Sequence, residues 1–482
     1  MRKPLEISQA QNHSLDFGTV FRSSALFYFR KAQRFATTIS FLNYWPLKRA
    51  MEVAVIVTLR DMSGLILRRE KIDFTHAMVR NYRPDVPEPF EGSVEIEVFG
   101  ARNLVIPYAA IMAVYETDTA ISMVHSYTRA YSPHEIQEGR TITVGEESCW
   151  TIRDSAAIRS FAVTHNGFGI QPAQTAALQV LRDDGQTIVH KFEIPELGAY
   201  ASHRIVPGDI IPGLSAFLDG QPANCNISFD LTGAFTRLLV GNESVDGSDI
   251  QMTHSNFNYS RHKTDKVRNG DSAALAYMPV PDGGIKGRGI VVYPDSDPGA
   301  YQMEMDGKVQ EFSNGQSIRI AVPEPTVVRF RKQDGELPSR IVTAITGECS
   351  GSRLPFECSM GVVHAQYPLK RTHWAIVAAD AHRSCMLIAD PYEGAYGPMS
   401  DEPITARLYS ARQPGFLEGR PLTGRDGAAL ARGLPIGELF PGAEAFLDGD
   451  FGYIMIQSGY GGLVFYTKIE NPDGGTTLEH SF

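Results

Sequence analysis

Four histidines, each closing a strand-like segment, are the residues of this chain whose type and spacing best suit chemistry. They stand in Val124-His125-Ser126-Tyr127, Thr253-His254-Ser255-Asn256-Phe257, Val363-His364-Ala365-Gln366-Tyr367 and Glu479-His480-Ser481-Phe482, with spacings of 129, 110 and 116 residues. Imidazole is both the commonest side-chain metal ligand and the usual general base, so its return at one position of a repeat invites either reading. The spacing argues against both. Copies of one position on neighbouring domains of this size are expected roughly 25–40 Å apart, too far to share an ion. Each histidine is then a hydrogen-bonded residue of its own sheet margin, and neither a metal nor a cofactor is expected.

Other constellations are thinner. Cys149, His165 and Asp154 have the residue types of a nucleophile, base and orienting acid, but no nucleophile-elbow glycines surround the cysteine. Ser126 cannot use His125, because adjacent strand residues point to opposite faces. Glu146 and Glu147 read as a charged turn. The acidic turn from Tyr293 to Gly299 lacks a bidentate glutamate at a calcium-loop offset, and no GxxxxGK[ST] or strand-linked GxGxxG occurs. What remains is recognition: aromatic faces beside polar groups have the chemistry of a sugar platform. On this basis His125, Tyr127, Arg129, His254, Asn256, Tyr259, His364 and His480 are the candidate ligand-binding residues.

The elements that position these residues repeat with them. Pro212-Gly213-Leu214-Ser215-Ala216-Phe217-Leu218-Asp219-Gly220 and Pro441-Gly442-Ala443-Glu444-Ala445-Phe446-Leu447-Asp448-Gly449 agree at seven of nine positions. Beyond that turn, Val94-Glu95-Ile96-Glu97-Val98 alternates with period two, which predicts a strand with its glutamates facing solvent. Earlier in each of the first two units, Leu59-Arg60-Asp61-Met62-Ser63-Gly64 parallels Leu181-Arg182-Asp183-Asp184-Gly185, a hairpin signal in which glycine supplies the positive φ. Six to eight short strands per unit predict an all-β chain, a tandem array of about four immunoglobulin-like or related antiparallel sandwiches of roughly 110 residues. The expected division is an extension over 1–35, sandwiches over 36–130, 155–262, 263–371 and 372–482, and a linker over 131–154. The aromatic and basic stretch Phe21 to Lys31 is expected to lie outside the array, as an arm.

Composition narrows the partners. At 482 residues the chain is too long for one core, and a net charge of −10 spread without a basic block argues against nucleic acid. No apolar run is long enough to span a membrane, and no secretory leader is evident, which makes the cytoplasm or a dedicated export route the expectation. Five scattered cysteines are too few for a disulfide framework; only Cys349 and Cys358 are placed to face one another across a hairpin. The leading reading is a non-catalytic interaction protein that binds protein or glycan, with homo-oligomers in view. The alternatives are a carbohydrate or envelope-precursor enzyme with its site between sandwiches, and a structural subunit that assembles through edge strands.

Overall fold

The computed structural model describes residues 21–101, 110–125, 128–132, 142–235, 237–257, 266–267, 276–293, 299–313, 315–333, 337–338, 341–350, 354–361, 363–364, 372–391, 403–459 and 463–481. The chain is all-β. Among the described residues its strands form six four-stranded sheets, two five-stranded sheets and two short two-stranded ribbons, every pairing antiparallel.

Unit one sets the pattern with β1 (Phe21–Lys31), β2 (Ala36–Leu42), β3 (Val53–Asp61), β4 (Ile66–Ile72), β5 (Val79–Tyr82), β6 (Phe90–Gly100), β7 (Ala110–Glu116) and β8 (Ile121–Val124). One sheet runs β4-β3-β6-β1 and the other β5-β2-β7-β8. The same two orders recur in the other three units, with a short strand added beside the first strand of unit two (Asn256–Phe257) and of unit three (Val363–His364). Period-two alternation sends Val94, Ile96 and Val98 into the core shared with Phe27, Phe29 and Tyr115. The Pro-Gly to Asp-Gly repeats form matching single helical turns, Leu214–Leu218 and Ala443–Leu447. Each is entered through a glycine (Gly213 at φ 74°, Gly442 at 91°) and left through an aspartate (Asp219 at 49°, Asp448 at 50°) in the left-handed region.

Two boundary expectations change. Phe21–Lys31 is not an arm but the first strand of unit one, paired along its whole length with β6. Its apolar residues from Ala25 to Phe29 are buried, which is why the stretch is so aromatic. Likewise the stretch expected as a linker holds Ile142–Ile152, the first strand of unit two, whose Trp150 and Ile152 are buried in that unit's core.

The units close into a ring. β8 packs against the eighth strand of unit two (Ile250–His254), that against the eighth of unit three (Phe356–Gly361), that against the eighth of unit four (Thr476–His480), and the last returns to β8. An eighth strand is a sheet edge with outward amides that need acceptors. Hydroxyls of neighbouring units supply them: Ser122 Oγ accepts from Met252 N at 2.8 Å, Thr253 Oγ1 from Ser359 N at 3.3 Å, and Thr477 Oγ1 from Met123 N at 3.0 Å.

Packing between units differs around the ring. Units four and one share one apolar cluster, with Trp374 stacked on Tyr44 at 4.6 Å and Tyr453 donating to Ser40 O at 2.8 Å. Units one and two share that cluster through Phe161, Val163, Leu239, Ile250 and Met252 and also bury charge, with Arg30 on Glu243 at 2.6 Å, and here the expected solvent-facing glutamates are overturned. Glu95 is 1% and Glu97 6% exposed, because that face of the sheet is covered by unit two. Glu95 binds Arg22 at 2.9 Å and Arg60 at 2.7 Å, Glu97 binds Arg22 at 2.8 Å and Arg69 at 2.9 Å, and Arg60 lies over the Tyr200 ring of unit two. Alternation locates the two faces of a strand but not what covers the second one.

Candidate functional site

Ring closure brings together the residues whose spacing set them apart. The ring centroids of His125 and His254 are 4.6 Å apart and those of His125 and His480 4.7 Å. One ligand-capable atom from each of the three lies within 4.8 Å of the others. The expectation of a domain's width between copies fails because the array is a ring and not a rod, with the eighth strands innermost.

The fourth member is not His364. Register fixes the correspondence: Ile121 pairs with Glu116, Ile250 with Glu243, Phe356 with Gly347 and Thr476 with Glu470, each as the first residue of its eighth strand. Four residues on stand His125, His254, Met360 and His480. His364 belongs instead to the short strand Val363–His364, where its backbone pairs with Ala276.

Each imidazole of the cluster is oriented by a partner. His254 Nδ1 lies 2.8 Å from Ser255 O and His480 Nδ1 3.1 Å from Ser481 O. A carbonyl only accepts, so in both rings Nδ1 carries the proton and Nε2 keeps its lone pair. His254 is 2% exposed, and its Nε2 has no hydrogen-bond partner among the described residues. His125 Nδ1 stands 3.1 Å from Glu479 Oε1, and the same oxygen is 3.7 Å from His480 Nε2.

Burial dominates the electrostatics. It pushes His254 well below the usual imidazole range, helped by neighbouring His125 and Arg237. Burial also pushes the Glu479 carboxyl up to about 7, against the opposing pull of His480 and Arg237. Cys358, close to Glu479 and His480, is raised by burial, which keeps it a thiol. A buried neutral imidazole with a free ring nitrogen, backed by backbone carbonyls and a carboxylate, has the outer arrangement of a metal-ligating histidine.

The remaining candidates scatter. Tyr127 and Tyr259 lie outside the described residues, as does the acidic turn over 294–298, and Asn256 is described only as a backbone position of its short strand. Arg129 sits in a two-stranded ribbon with Phe235, its guanidinium over Tyr131 at 5.3 Å. Of the nucleophile constellation, His165 Nδ1 is bound to Ser202 Oγ at 2.7 Å and Asp154 to Arg159 at 3.4 Å. Cys349 and Cys358 are free buried thiols, and Cys349 Sγ donates to Thr476 O at 3.3 Å. Sequence reading missed Glu479, although a carboxylate directly before the last histidine was the one local signal that set that strand end apart.

No family model and no curated protein matches the chain. Among solved structures, the tetra-tandem repeat in the extending region of a large adhesion protein aligns over 95% of this chain and 98% of that one, at 8% identity and a TM-score of 0.08. A score that low carries no argument about fold or function. No helix among the described residues is long and apolar enough to cross a membrane.

Proposed function

We propose that the chain is a non-catalytic interaction and assembly protein, a ring of four β-sandwich units whose outer edge strands pair with further protein chains, copies of itself included. The observation that carries this reading is the fourth strand of each unit. β4 and its counterparts Thr187–Ile194, Lys308–Ser313 and Leu417–Glu418 each end a sheet order, with one side unpaired by any other strand of the sheet. On or beside them stand the exposed apolar side chains Ile66 (48%), Val189 (62%), Val309 (57%) and Phe416 (45%). An open edge with an apolar residue is a template for strand addition. Charges interleaved on the same strands, such as Arg68, Arg69 and Lys71 on β4, Lys191 on its unit-two counterpart and Lys308 on the unit-three one, restrain indiscriminate pairing.

A protein partner is favoured over a glycan because two of the candidate binding residues, His125 and His254, are buried and offer no ring face to a sugar. Sedimentation velocity over a dilution series tests the reading, with the wild type compared with a combined Ile66→Lys, Val189→Lys, Val309→Lys variant. Wild-type association that grows with concentration and is lost in the variant is expected. Monomers at every concentration for both proteins would overturn it.

A further inference from the structure

We propose that His125, His254 and His480 together bind one divalent transition-metal ion of the zinc class at the centre of the ring. The inference stands apart from edge-strand assembly and survives if that reading fails. Three observations carry it. First, three histidines from units one, two and four, far apart in sequence, offer ligand atoms within 4.8 Å of one another. Nitrogens bound to one tetrahedral ion at 2.0–2.1 Å are about 3.3 Å apart, so closure asks for a side-chain adjustment on the order of an ångström. Second, the proton positions are already set in two of the rings. Carbonyl oxygens of Ser255 and Ser481 hold Nδ1–H of His254 and His480, and Glu479 stands at ion-pair distance from His125 Nδ1. In His254 and His480 the nitrogen that keeps its lone pair is then Nε2, and the carbonyls take the orienting role that outer groups play at histidine metal sites.

Third, His254 Nε2 is buried and unpartnered among the described residues. An apolar side chain would avoid the cost of hiding a polar nitrogen without a bond, and a bound cation removes that cost. A route in exists, since the His480 side chain is 24% exposed while Glu479 beneath it is 5%. The ligand types select the metal: neutral imidazole suits zinc, copper, nickel and iron, whereas calcium and magnesium need oxygen shells. Met360, not a histidine, stands at the fourth register position, and three histidines leave one coordination position open. The charge of Arg237 reaches both His254 and Glu479 and opposes a cation at the cluster.

The test uses the full, untagged chain, stripped by chelation and titrated with Zn(II) alone in a calorimeter. One equivalent per chain is expected, with binding weakened at least a hundredfold in His254→Gln and about tenfold in Glu479→Gln, the latter within the range for losing an outer partner. Because replacing the buried His254 puts the fold itself at risk, the more exposed His480→Gln is titrated in parallel. X-ray absorption on the zinc-loaded wild type needs no variant, and three imidazole nitrogens at about 2.0–2.1 Å are expected. Failure of the wild type to take up stoichiometric zinc, an oxygen-only shell, or unchanged affinity in folded His254→Gln or His480→Gln would each overturn the proposal.

Discussion

His125 and His254 close strands in different units, yet their rings meet edge to face with centroids 4.6 Å apart. The contact exists because β8 and the eighth strand of unit two are neighbours in a ring of four edges, three of which place an amide on a hydroxyl of the adjacent unit. Side chains at one register position of a closed array must converge near its centre. Those at the outer strands must diverge.

The ion network that unit one buries against unit two gives the first prediction. Glu95 is buried with both Arg22 and Arg60 on it, so Glu95→Ala leaves buried Arg60 without its carboxylate and Arg22 with Glu97 alone. Removing one partner of a buried pair costs about 3–5 kcal/mol. Hydrogen exchange should show the loss in β1, β3 and β6 and in the facing strands of unit two, while unit four stays protected. Protection unchanged in unit one would mean that water screens the network.

A matched pair of glycines isolates docking from backbone strain. Gly64 and Gly185 occupy corresponding hairpin turns at φ 89° and 88°. A Cβ at Gly185 meets nothing within 4 Å, whereas one at Gly64 would lie 2.3 Å from Ala199 O of unit two. Gly185→Ala should therefore cost only the left-handed penalty, about 1–2 kcal/mol. Gly64→Ala should cost more and loosen the contact of units one and two, read by small-angle scattering and chemical denaturation. Equal losses would show that the turn, not the docking, sets the cost.

His165 predicts a dependence on acid. Burial, with a smaller push from Arg60, lowers its pKa to about 3. Between that value and about 6.5 the unfolded chain binds more protons than the folded one, so the full stability holds above about pH 6.5 and falls as pH drops. The loss approaches 1.4 kcal/mol per pH unit, or about 2 kcal/mol by pH 5. His165→Gln keeps a donor for Ser202 but cannot titrate. Denaturation midpoints at pH 7 and pH 5 should differ less in the variant, and equal slopes in the two proteins would rule out His165 as the source.

Much of the architecture was legible in the chain. Period-two stretches such as Val94 to Val98 and the twin Pro-Gly to Asp-Gly turns specified strands, repeats and an all-β fold, since those signals are local. The covering of Glu95 and Glu97 was not, because alternation is blind to which neighbour lies on the polar face. Nor was the place of Phe21–Lys31, whose burial follows from an eleven-residue pairing with β6 that no short window contains. For the site, the four repeated endings drew attention to His125, His254 and His480. Their distance from one another depended on ring closure, a property of interfaces such as Tyr44 on Trp374. The correspondence of Met360, and not His364, came from register alone.

The four units share one chain, and that bears on Met360. Four identical subunits around an axis would have to place the same residue at every equivalent position, so a symmetric tetramer would carry four histidines there or four methionines. Covalent linkage lifts that constraint. Each unit can change its central residue independently of the rest, and the centre can hold an odd number of like groups.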